Sequence, residues 1–379
     1  MGRFRFDIVV VGAGIAGASA ASHLAESRKV VLLERESHPG YHATGRSAAL
    51  FSEIYGNAVV RALSRASREF LFSPPQGFSD YPLTTPRGAL HVARADQKAA
   101  LQAFLAQPDV AANAYFVETP DVEVRCPILR KNYAVGGALE PNARDIDVHG
   151  LHQGYLRTLK ANGGFLKTDA SCVAIERASG VWRVQAGDAI FEAPLIVNAA
   201  GAWADEIAAL AGAAPLSITP CRRTALLVDA PSGLDLGGMP LVIDMDEAFY
   251  FKPDAGKLLL SPADETPQPP GDVQPDELDV AIAIDRVQNA TTLEISRVSR
   301  KWAGLRSFAP DRSLVIGFDA RAEGFFWLAG QGGYGIQTAP AASRLAAALA
   351  LGREVPDDIA ACGVTADLVS PARFPAHNS

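Results

Sequence analysis

The sequence predicts an α/β fold in which an N-terminal strand–turn–helix unit is completed by segments much later in the chain. Asp7–Val11 is a short β-branched run typical of a buried parallel strand, and glycines and a small-residue helix follow it at once. Leu195–Asn198 is a second buried strand, and Leu314–Leu351 returns to a strand, a glycine turn and a helix. Together they indicate a Rossmann-like domain interrupted by a second, mostly antiparallel α+β domain.

The first unit reads in order as strand, helix from Ile15 to about Ser27, and strand Val30–Leu33, which makes one βαβ unit. Further helices are expected at 95–106, 148–161, 203–211 and 336–351, a small meander at 165–192, and mainly strands at 218–305. We therefore expect a dinucleotide-binding domain formed by residues 1–80, 146–216 and 309–379. Residues 81–145 and 217–308 are expected to form the substrate-binding domain.

The bulk composition limits the possible functions. A chain of 379 residues is long for one compact core, which favours two domains. The net charge of -7 argues against a nucleic-acid partner. The sequence has no stretch of about 20 apolar residues, so we predict no membrane span. The four cysteines form no C-x-x-C pair, so we expect no metal site, no disulfide framework and a cytoplasmic location. The apolar N-terminal run is cut by glycines and is interpreted as mature structure rather than a secretion signal.

A G-x-G-x-x-G sequence spans Gly12–Gly17, directly after a strand and at the start of a helix. Gly12 permits the tight turn, Gly14 lets the backbone approach a pyrophosphate, and Gly17 allows the helix to pack on the sheet. The helix N-terminus supplies free N–H groups for phosphates, and Glu34 at the end of the next strand suits the ribose hydroxyls. The predicted cofactor contacts here are Gly12, Gly14, Ile15, Ala16, Gly17, Glu34 and Arg35.

Three further segments favour FAD over NAD. A small-residue loop follows the acidic residue, with predicted contacts at Thr44, Arg46, Ser47, Ala48 and Ala49. The strand L-I-V-N-A-A-G ends in small residues, and we place Ala200, Gly201 and Trp203, together with Val173, against the dinucleotide. The turn G-Q-G-G-Y-G opens the last long helix, whose positive N-terminus suits a reduced flavin. Its predicted contacts are Gly332, Gly333, Tyr334, Gly335, Ile336 and Gln337.

These segments resemble the D-amino acid oxidase superfamily of FAD-dependent oxidoreductases. The resemblance rests on the Gly12–Gly17 fingerprint, T-G-R-S-A-A at 44–49, V-N-A-A-G-A-W at 197–203 and G-Q-G-G-Y-G at 330–335. More narrowly, the stretches at 40–49, 146–157, 248–256, 302–308 and 323–338 resemble the bacterial FAD-dependent D-arginine dehydrogenase group. Because the sarcosine oxidase branch attaches its flavin through a cysteine that is absent from Arg306-Ser307-Phe308, non-covalent FAD is expected.

By position, the resemblance implies that Arg223 and Arg306 grip a substrate carboxylate, with Tyr250 and Tyr55 assisting. A guanidinium fork matches a carboxylate bidentately and stays charged. Holding the carboxylate fixes the Cα–H for hydride transfer to flavin N5. The expected reaction is oxidative deamination of a D-amino acid to a 2-oxo acid and ammonia, with quinone or oxygen as the electron acceptor.

Two positions depart from the arginine-preferring group. Ala89 stands where that group has a glutamate for the distal guanidinium, and Leu50 replaces a histidine near the flavin. We therefore expect neutral or apolar substrates rather than D-arginine. Alternatives are a secondary-amine enzyme acting on sarcosine, glycine or proline-like amines, a 2-hydroxy acid oxidoreductase, and a flavin-holding subunit without independent activity.

Overall fold

The structure is a computed structural model that describes residues 2–231 and 233–374. Within these residues the α-helices are α1 (Ile15–Leu24), α2 (Ala58–Phe72), α3 (Lys98–Leu105), α4 (Pro108–Ala111), α5 (Thr119–Arg125), α6 (Val148–Ala161), α7 (Ala204–Leu210), α8 (Glu277–Ala290), α9 (Gly335–Ala350), α10 (Asp357–Ala361) and α11 (Ala366–Val369). None of these helices combines the length and the apolar character needed to cross a membrane.

The strands of the described residues, in chain order, are β1 (Gly2–Arg5), β2 (Ile8–Val11), β3 (Val30–Leu33), β4 (Leu50–Phe51), β5 (Thr84–Pro86), β6 (Ala89–Ala93), β7 (Tyr115–Val117), β8 (Gly136–Glu140), β9 (Arg144–Ile146), β10 (Phe165–Lys167), β11 (Cys172–Ala178), β12 (Val181–Ala186), β13 (Ala189–Ala193), β14 (Leu195–Asn198), β15 (Thr219–Asp229), β16 (Leu241–Asp244), β17 (Tyr250–Asp254), β18 (Lys257–Ser261), β19 (Thr266–Pro267), β20 (Val298–Phe308), β21 (Val315–Phe318), β22 (Phe325–Ala329) and β23 (Gln331–Gly332).

A six-stranded sheet in the order β10-β3-β2-β14-β22-β21 forms the first layer system, and all its pairs are parallel except β21–β22. Alternate residues of β2 serve opposite faces, as the two-residue period of a strand requires. Val10 packs with the helices α1, α6 and α9, whereas Val9 packs with the small sheet β1-β13-β12-β11. Both faces are covered, which explains why β2 and β3 are continuous apolar runs.

A ten-stranded sheet forms the second layer system, in the order β23-β20-β15-β18-β17-β16-β6-β8-β7 with β19 beside β15. Its pairs are antiparallel except β16–β6. Helix α8 covers one face through Val280, Ala283 and Val287. The short strand β23 belongs to this sheet and lies directly before α9, so it brings the N-terminus of α9 to the edge of the second sheet.

The elements agree with the sequence analysis in the first sheet and differ mainly in helices, of which α2 and α8 are the longest that were not predicted. Strands β3 and β14 and helix α6 have the predicted bounds, and α1 ends three residues earlier than expected. Helix α8 lies inside the segment 218–305 that we expected to be mainly strands, and α2 was not expected at all. Both carry ordinary N-caps, Asp276 and Asn57, whose side chains accept a backbone N–H of the first turn.

Candidate active site

One long cleft runs between the two large sheets. Its lining comes from the turn after β2, the segment 40–48, residues 170–172, residues 199–203, the central strands of the second sheet and the turn before α9. Segments predicted to contact a cofactor therefore lie along the same cleft as the two predicted substrate arginines.

The glycine turn is fixed by close backbone contacts. Gly12 has φ +99°, and a Cβ there would lie 2.6 Å from the carbonyl oxygen of Ala199. A Cβ on Gly17 would lie 1.8 Å from the carbonyl oxygen of Gly12, so the helix packs on its own turn. Gly12, Gly14, Ile15 and Ala16 line the cleft, whereas Gly17 lies behind it. This places the positive end of α1 at the cleft, where it can hold phosphates.

Glu34 is the acidic group at the end of β3 and is only 7% exposed. Its Oε2 accepts from the Ala13 amide at 2.9 Å, and its Oε1 accepts from the Glu36 amide at 3.0 Å. Each carboxylate oxygen has a further acceptor position, and the residue lines the cleft. The carboxylate is thus oriented by the turn it adjoins and can accept hydrogen bonds from ribose hydroxyls.

Aromatic and cationic groups surround the same end of the cleft. The Arg35 guanidinium lies 4.7 Å from the centre of the Trp203 ring, and the centres of the His42 and Trp203 rings are 4.7 Å apart. His42 Nε2 is 2.9 Å from Glu36 Oε1. Ala200 and Gly201 continue this lining. Flat apolar and cationic surfaces of this kind suit a purine ring.

Val173 is one of the predicted contacts that do not line the cleft. Its side chain is 56% exposed and does not line the cleft, whereas Ala170, Ser171 and Cys172 do. Successive residues of a strand point to opposite sides, and β11 begins at Cys172. The prediction was therefore one position too late along the chain for a side-chain contact.

The segment Thr44–Ala49 connects the two sheets. Thr44 Oγ1 accepts from the Ile15 amide at 3.0 Å. Arg46 donates to the carbonyl oxygens of Val273 and Ala303 at 3.1 and 3.0 Å and pairs with Asp272. The Arg46 guanidinium therefore binds groups of the protein itself, although Arg46 lines the cleft beside Ser47 and Ala48.

Ala49 lies just outside the lining. Its carbonyl oxygen accepts from the Ile146 amide at 3.3 Å, next to the pairing of β4 with β9. The backbone here has turned away from the cleft into the three-stranded sheet β4-β9-β5.

The turn before α9 forms the far end of the cleft. Gly332, Gly333, Gly335 and Ile336 line it, and a Cβ on Gly333 would lie 2.7 Å from Arg306 Nη1. Tyr334 and Gln337 do not line it. Tyr334 packs against the Tyr55 ring at 4.9 Å. Gln337 is 2% exposed and both ends of its amide bind protein groups, because the helical period turns it to the opposite side of α9 from the cleft.

Arg306 on β20 faces the cleft with little to neutralise it. Its Nη1 donates to the Tyr55 hydroxyl at 2.9 Å. No carboxylate oxygen of the described residues lies within 4.0 Å of its guanidinium nitrogens. Burial acts to lower the pKa of this guanidinium, but the Tyr55 and Tyr250 phenols outweigh it and the pKa lies above its usual range. Arg306 is a permanent cation available to an anion. Tyr55 itself stands behind it, outside the cleft lining.

Arg223 on β15 reaches the same cleft but is already paired. Its Nε donates to the Asp264 carbonyl oxygen at 2.8 Å, and its Nη2 donates to Glu265 Oε1 at 3.0 Å. Glu265 is shared with Arg312, whose Nη2 lies 2.9 Å from Oε2. The two predicted arginines are therefore unequal, and sequence reasoning missed Glu265, which sits in a polar loop without a motif.

Tyr250 on β17 lines the cleft and interacts with both arginines. The Arg223 guanidinium is 6.0 Å from the centre of its ring. Burial acts to raise the pKa of the phenol, but Arg306 and Arg223 outweigh it, and the pKa lies below its usual value. The three side chains form one electropositive end of the cleft, which is suited to a carboxylate.

The two positions that depart from the arginine-preferring pattern do not line the cleft. Leu50 is half-buried on β4, and Ala89 is buried on β6 directly opposite Glu140 of β8. Their influence on substrate choice stays a prediction.

Comparisons with known proteins bear on this site. The DAO family model, described as FAD dependent oxidoreductase, matches residues 7–349. FAD-dependent oxidoreductase domain-containing protein 1 of Xenopus laevis is 22% identical over 396 residues, covering 91% of this chain and 79% of that protein. Mitochondrial dimethylglycine dehydrogenase of Homo sapiens is 23% identical over 267 residues, covering 68% of this chain and 30% of that protein. The structure of glycine oxidase from Geobacillus kaustophilus is similar with a TM-score of 0.81 at 21% identity, covering 92% of this chain and 95% of that one.

Proposed function

The chain belongs to the family of FAD-dependent oxidoreductases whose model spans residues 7–349, and from this premise we propose that it oxidises a carbon–nitrogen bond of a small amino acid. The leading substrate class in this proposal is a D-amino acid with a neutral or apolar side chain. The products are the 2-oxo acid and ammonia, formed when water hydrolyses the imino acid. We also propose that, within this family, the chain is closely related to the bacterial D-amino acid dehydrogenases.

The observation that carries the proposal is the Arg306 guanidinium, which binds the Tyr55 hydroxyl but has no carboxylate partner among the described residues. A buried charge without a partner costs free energy, so a cation held in a cleft favours an anionic ligand. A substrate carboxylate supplies that anion, and Tyr55 keeps the guanidinium in one orientation through its hydroxyl. Arg223 already binds Glu265, so its contribution to binding is smaller.

The residues along the cleft fit an extended FAD. The turn at Gly12 lines the cleft and would hold the pyrophosphate, and only glycine fits there because a Cβ would lie 2.6 Å from the Ala199 carbonyl oxygen. Glu34 would accept from the ribose hydroxyls, and the N-terminus of α9 would face the flavin. When bound, FAD accepts the hydride that leaves the substrate carbon.

The protein's own part in the reaction is positioning and electrostatics. Fixing the carboxylate on Arg306 orients the Cα–H of the substrate, and orientation supplies much of the rate enhancement in such reactions. The substrate amine must be neutral before it is oxidised. Positive charge from Arg306 and Arg223 lowers the pKa of a nearby amine by repulsion, and water takes the proton.

A second candidate is the oxidation of a secondary amine such as sarcosine or a proline-like amine, or of glycine. The similarity to a dimethylglycine dehydrogenase and a glycine oxidase favours it. The carboxylate site is the same for both candidates, so they differ only in what the amine and side chain require.

Anaerobic titration of the flavin-loaded protein distinguishes these candidates. Flavin absorbance is followed while neutral D-amino acids, their L-enantiomers, D-arginine, glycine, sarcosine and proline are added. Bleaching by neutral D-amino acids supports the leading proposal, and bleaching by sarcosine, glycine or proline alone supports the second. If none of these compounds bleaches the flavin, amino-acid oxidation is the wrong activity.

Arg306→Met tests the observation on which the proposal depends. Loss of a charge-assisted pair to a buried carboxylate costs about 2–5 kcal/mol, so kcat/KM should fall by about 30-fold or more. Arg300→Met is the matched control, because Arg300 lies on the same strand with an exposed side chain. If R306M keeps wild-type kcat/KM, Arg306 does not hold the substrate.

A further inference from the structure

A buried carboxylate lies behind the substrate end of the cleft. Glu140, the last residue of β8, is 0% exposed. Its Oε2 accepts from the Ser52 hydroxyl at 2.6 Å, and its Oε1 accepts from the Glu53 amide at 2.7 Å. Both bonds go to one short segment, Ser52–Tyr55, which follows β4.

The same segment is held from the opposite side by α9. The Ser52 amide donates to Gln337 Oε1 at 3.1 Å, and Gln337 Nε2 donates to the Ser64 hydroxyl of α2 at 2.8 Å. Glu140, Ser52, Gln337 and Ser64 thus form a continuous buried chain of hydrogen bonds. It joins the second sheet to two helices of the first layer system.

The segment ends at the residue that orients the cation in the cleft. Tyr55 accepts from Arg306 at 2.9 Å, and its ring packs against Tyr334, the N-cap of α9. Tyr55 lies three positions after Ser52 and two after Glu53, the two residues that bind Glu140. A shift of the segment therefore changes the hydrogen bond that fixes the guanidinium.

We propose that Glu140 is a positioning residue for the substrate carboxylate, acting through Ser52–Tyr55 on Arg306. The proposal rests on the proposed function, because it assumes that Arg306 holds a carboxylate. Glu140 does not line the cleft, so it would act on the substrate only through other residues.

The surroundings of Glu140 make its charge depend on pH near neutrality. Burial raises the pKa of Glu140 to about 7, helped by the neighbouring Glu53 carboxylate and opposed by the Ser52 and Glu53 hydrogen bonds and by Arg61 of α2. Further charged and titratable groups surround this cluster: Arg68 and Arg65 of α2 act on Glu53, while Asp109, Tyr334 and His91 of β6 interact with Arg61. Burial lowers the pKa of His91 to about 4, so His91 stays neutral where Glu140 titrates.

Ionised Glu140 accepts stronger hydrogen bonds than its protonated form, because charge-assisted bonds are about twice as strong as neutral ones. Above the transition the segment is held more firmly and Tyr55 stays on Arg306. The carboxylate site should then bind an anion more tightly at about pH 8 than at about pH 6, by about threefold to tenfold for one strengthened hydrogen bond.

Acetate is the probe for this effect, because it has a carboxylate but no amine and is ionised throughout this range. Its dissociation constant is measured on the flavin-loaded protein from the change in flavin absorption, at intervals between about pH 6 and about pH 8. The wild type should show a transition centred near the Glu140 pKa of about 7.

Two variants distinguish the effect of the Glu140 carboxylate from that of the Glu53 carboxylate. E140Q keeps the shape and an acceptor for the Glu53 amide but cannot ionise, so its acetate affinity should not vary with pH. E53Q removes the charge that helps to raise the Glu140 pKa, so the transition should persist at lower pH. A pH transition in E140Q like that of the wild type overturns the role of Glu140. If E140Q does not fold, an E53Q transition at the wild-type pH overturns it instead.

Failure of the proposed function gives a different result. If R306M binds acetate as tightly as the wild type, Arg306 is not the carboxylate site and the proposed function loses its main support. If R306M loses acetate binding while E140Q keeps the wild-type pH profile, only the positioning role of Glu140 is wrong.

Discussion

At the residue scale, the two cleft arginines differ in what they already bind. Arg223 has Glu265 as a partner, whereas Arg306 has a phenol and no carboxylate of the described residues. The sequence predicted both as ligands, through the resemblance and through the chemistry of a guanidinium. It gave no sign of the ion pair that separates them, because Glu265 is 42 positions from Arg223 in a polar loop and follows no periodic pattern.

Tyr55→Phe tests how Arg306 is oriented. The change removes the hydroxyl that accepts from Nη1 and leaves the ring packed against Tyr334. Losing one such hydrogen bond is worth about 0.5–1.5 kcal/mol, so acetate should bind about twofold to tenfold more weakly at unchanged flavin content. Titration of flavin absorption with acetate measures it. Tyr81→Phe is the control, since Tyr81 is 77% exposed. Equal affinities in Y55F and the wild type would show that Arg306 needs no help from the phenol.

At the element scale, the predictions succeeded where local chemistry and long-range packing agree. The run V-V-L-L of β3 and the glycine turn before α1 are local signals that a parallel sheet also requires. Helix α2 was missed although its buried positions repeat at helical spacing, with Val60, Leu63, Ser64, Ser67 and Leu71 buried. Helix α8 was missed because strands on both sides suggested an unbroken sheet, whereas the sheet needs a cover for its apolar face.

Gly17→Ala tests the packing of α1 on its turn. The Cβ would lie 1.8 Å from the Gly12 carbonyl oxygen, which is backbone and cannot rotate away. The turn must therefore move, at about 1–3 kcal/mol for overpacking of this kind. Because Gly12 lines the cofactor cleft, the same movement should weaken FAD binding. Thermal unfolding and FAD titration of the flavin-free protein measure the two effects. Gly238→Ala is the matched control, because a Cβ there meets nothing within 4 Å. A G17A protein as stable as G238A would contradict the contact.

At the scale of the whole molecule, the cleft exists because two sheets meet along segments that are distant in sequence. Arg46, which follows β3, binds the Val273 and Ala303 carbonyls across this junction. We propose that the two layer systems are two domains, with residues 81–145 and 217–308 forming the second. Sequence patterns predicted the class of each sheet, but pairings over more than 200 positions leave no local signal, so the composition of the junction could not be predicted.

The buried ionisable residues Glu140 and His91 lead to a prediction for how the stability of the whole protein depends on pH. Glu140 has a pKa of about 7 in the folded protein against a reference value of 4.5, so the folded state holds the extra proton between these values. Its contribution to stability is therefore present below about pH 4.5 and is lost as the pH rises through 7. His91 has a pKa of about 4 against 6.5, so its contribution is present above pH 6.5 and is lost as the pH falls toward 4. Between pH 4.5 and pH 6.5, the contributions of Glu140 and His91 to the free energy of unfolding therefore change with pH in opposite directions.

Replacing Glu140 or His91 should reveal the pH dependence that the other residue gives to the free energy of unfolding. E140Q should gain stability relative to the wild type as the pH rises from 4.5 to 7, by roughly 3 kcal/mol at about 1.4 kcal/mol per pKa unit. The free energy of unfolding of His91→Asn should rise relative to that of the wild type as the pH falls from 6.5 toward 4. Denaturant unfolding across this range measures both differences, and the slopes with pH are compared because each substitution also changes packing. Parallel stability curves for the wild type and E140Q would mean that Glu140 titrates alike in the folded and unfolded chains, which a fully buried carboxylate cannot do unless a cation compensates its charge.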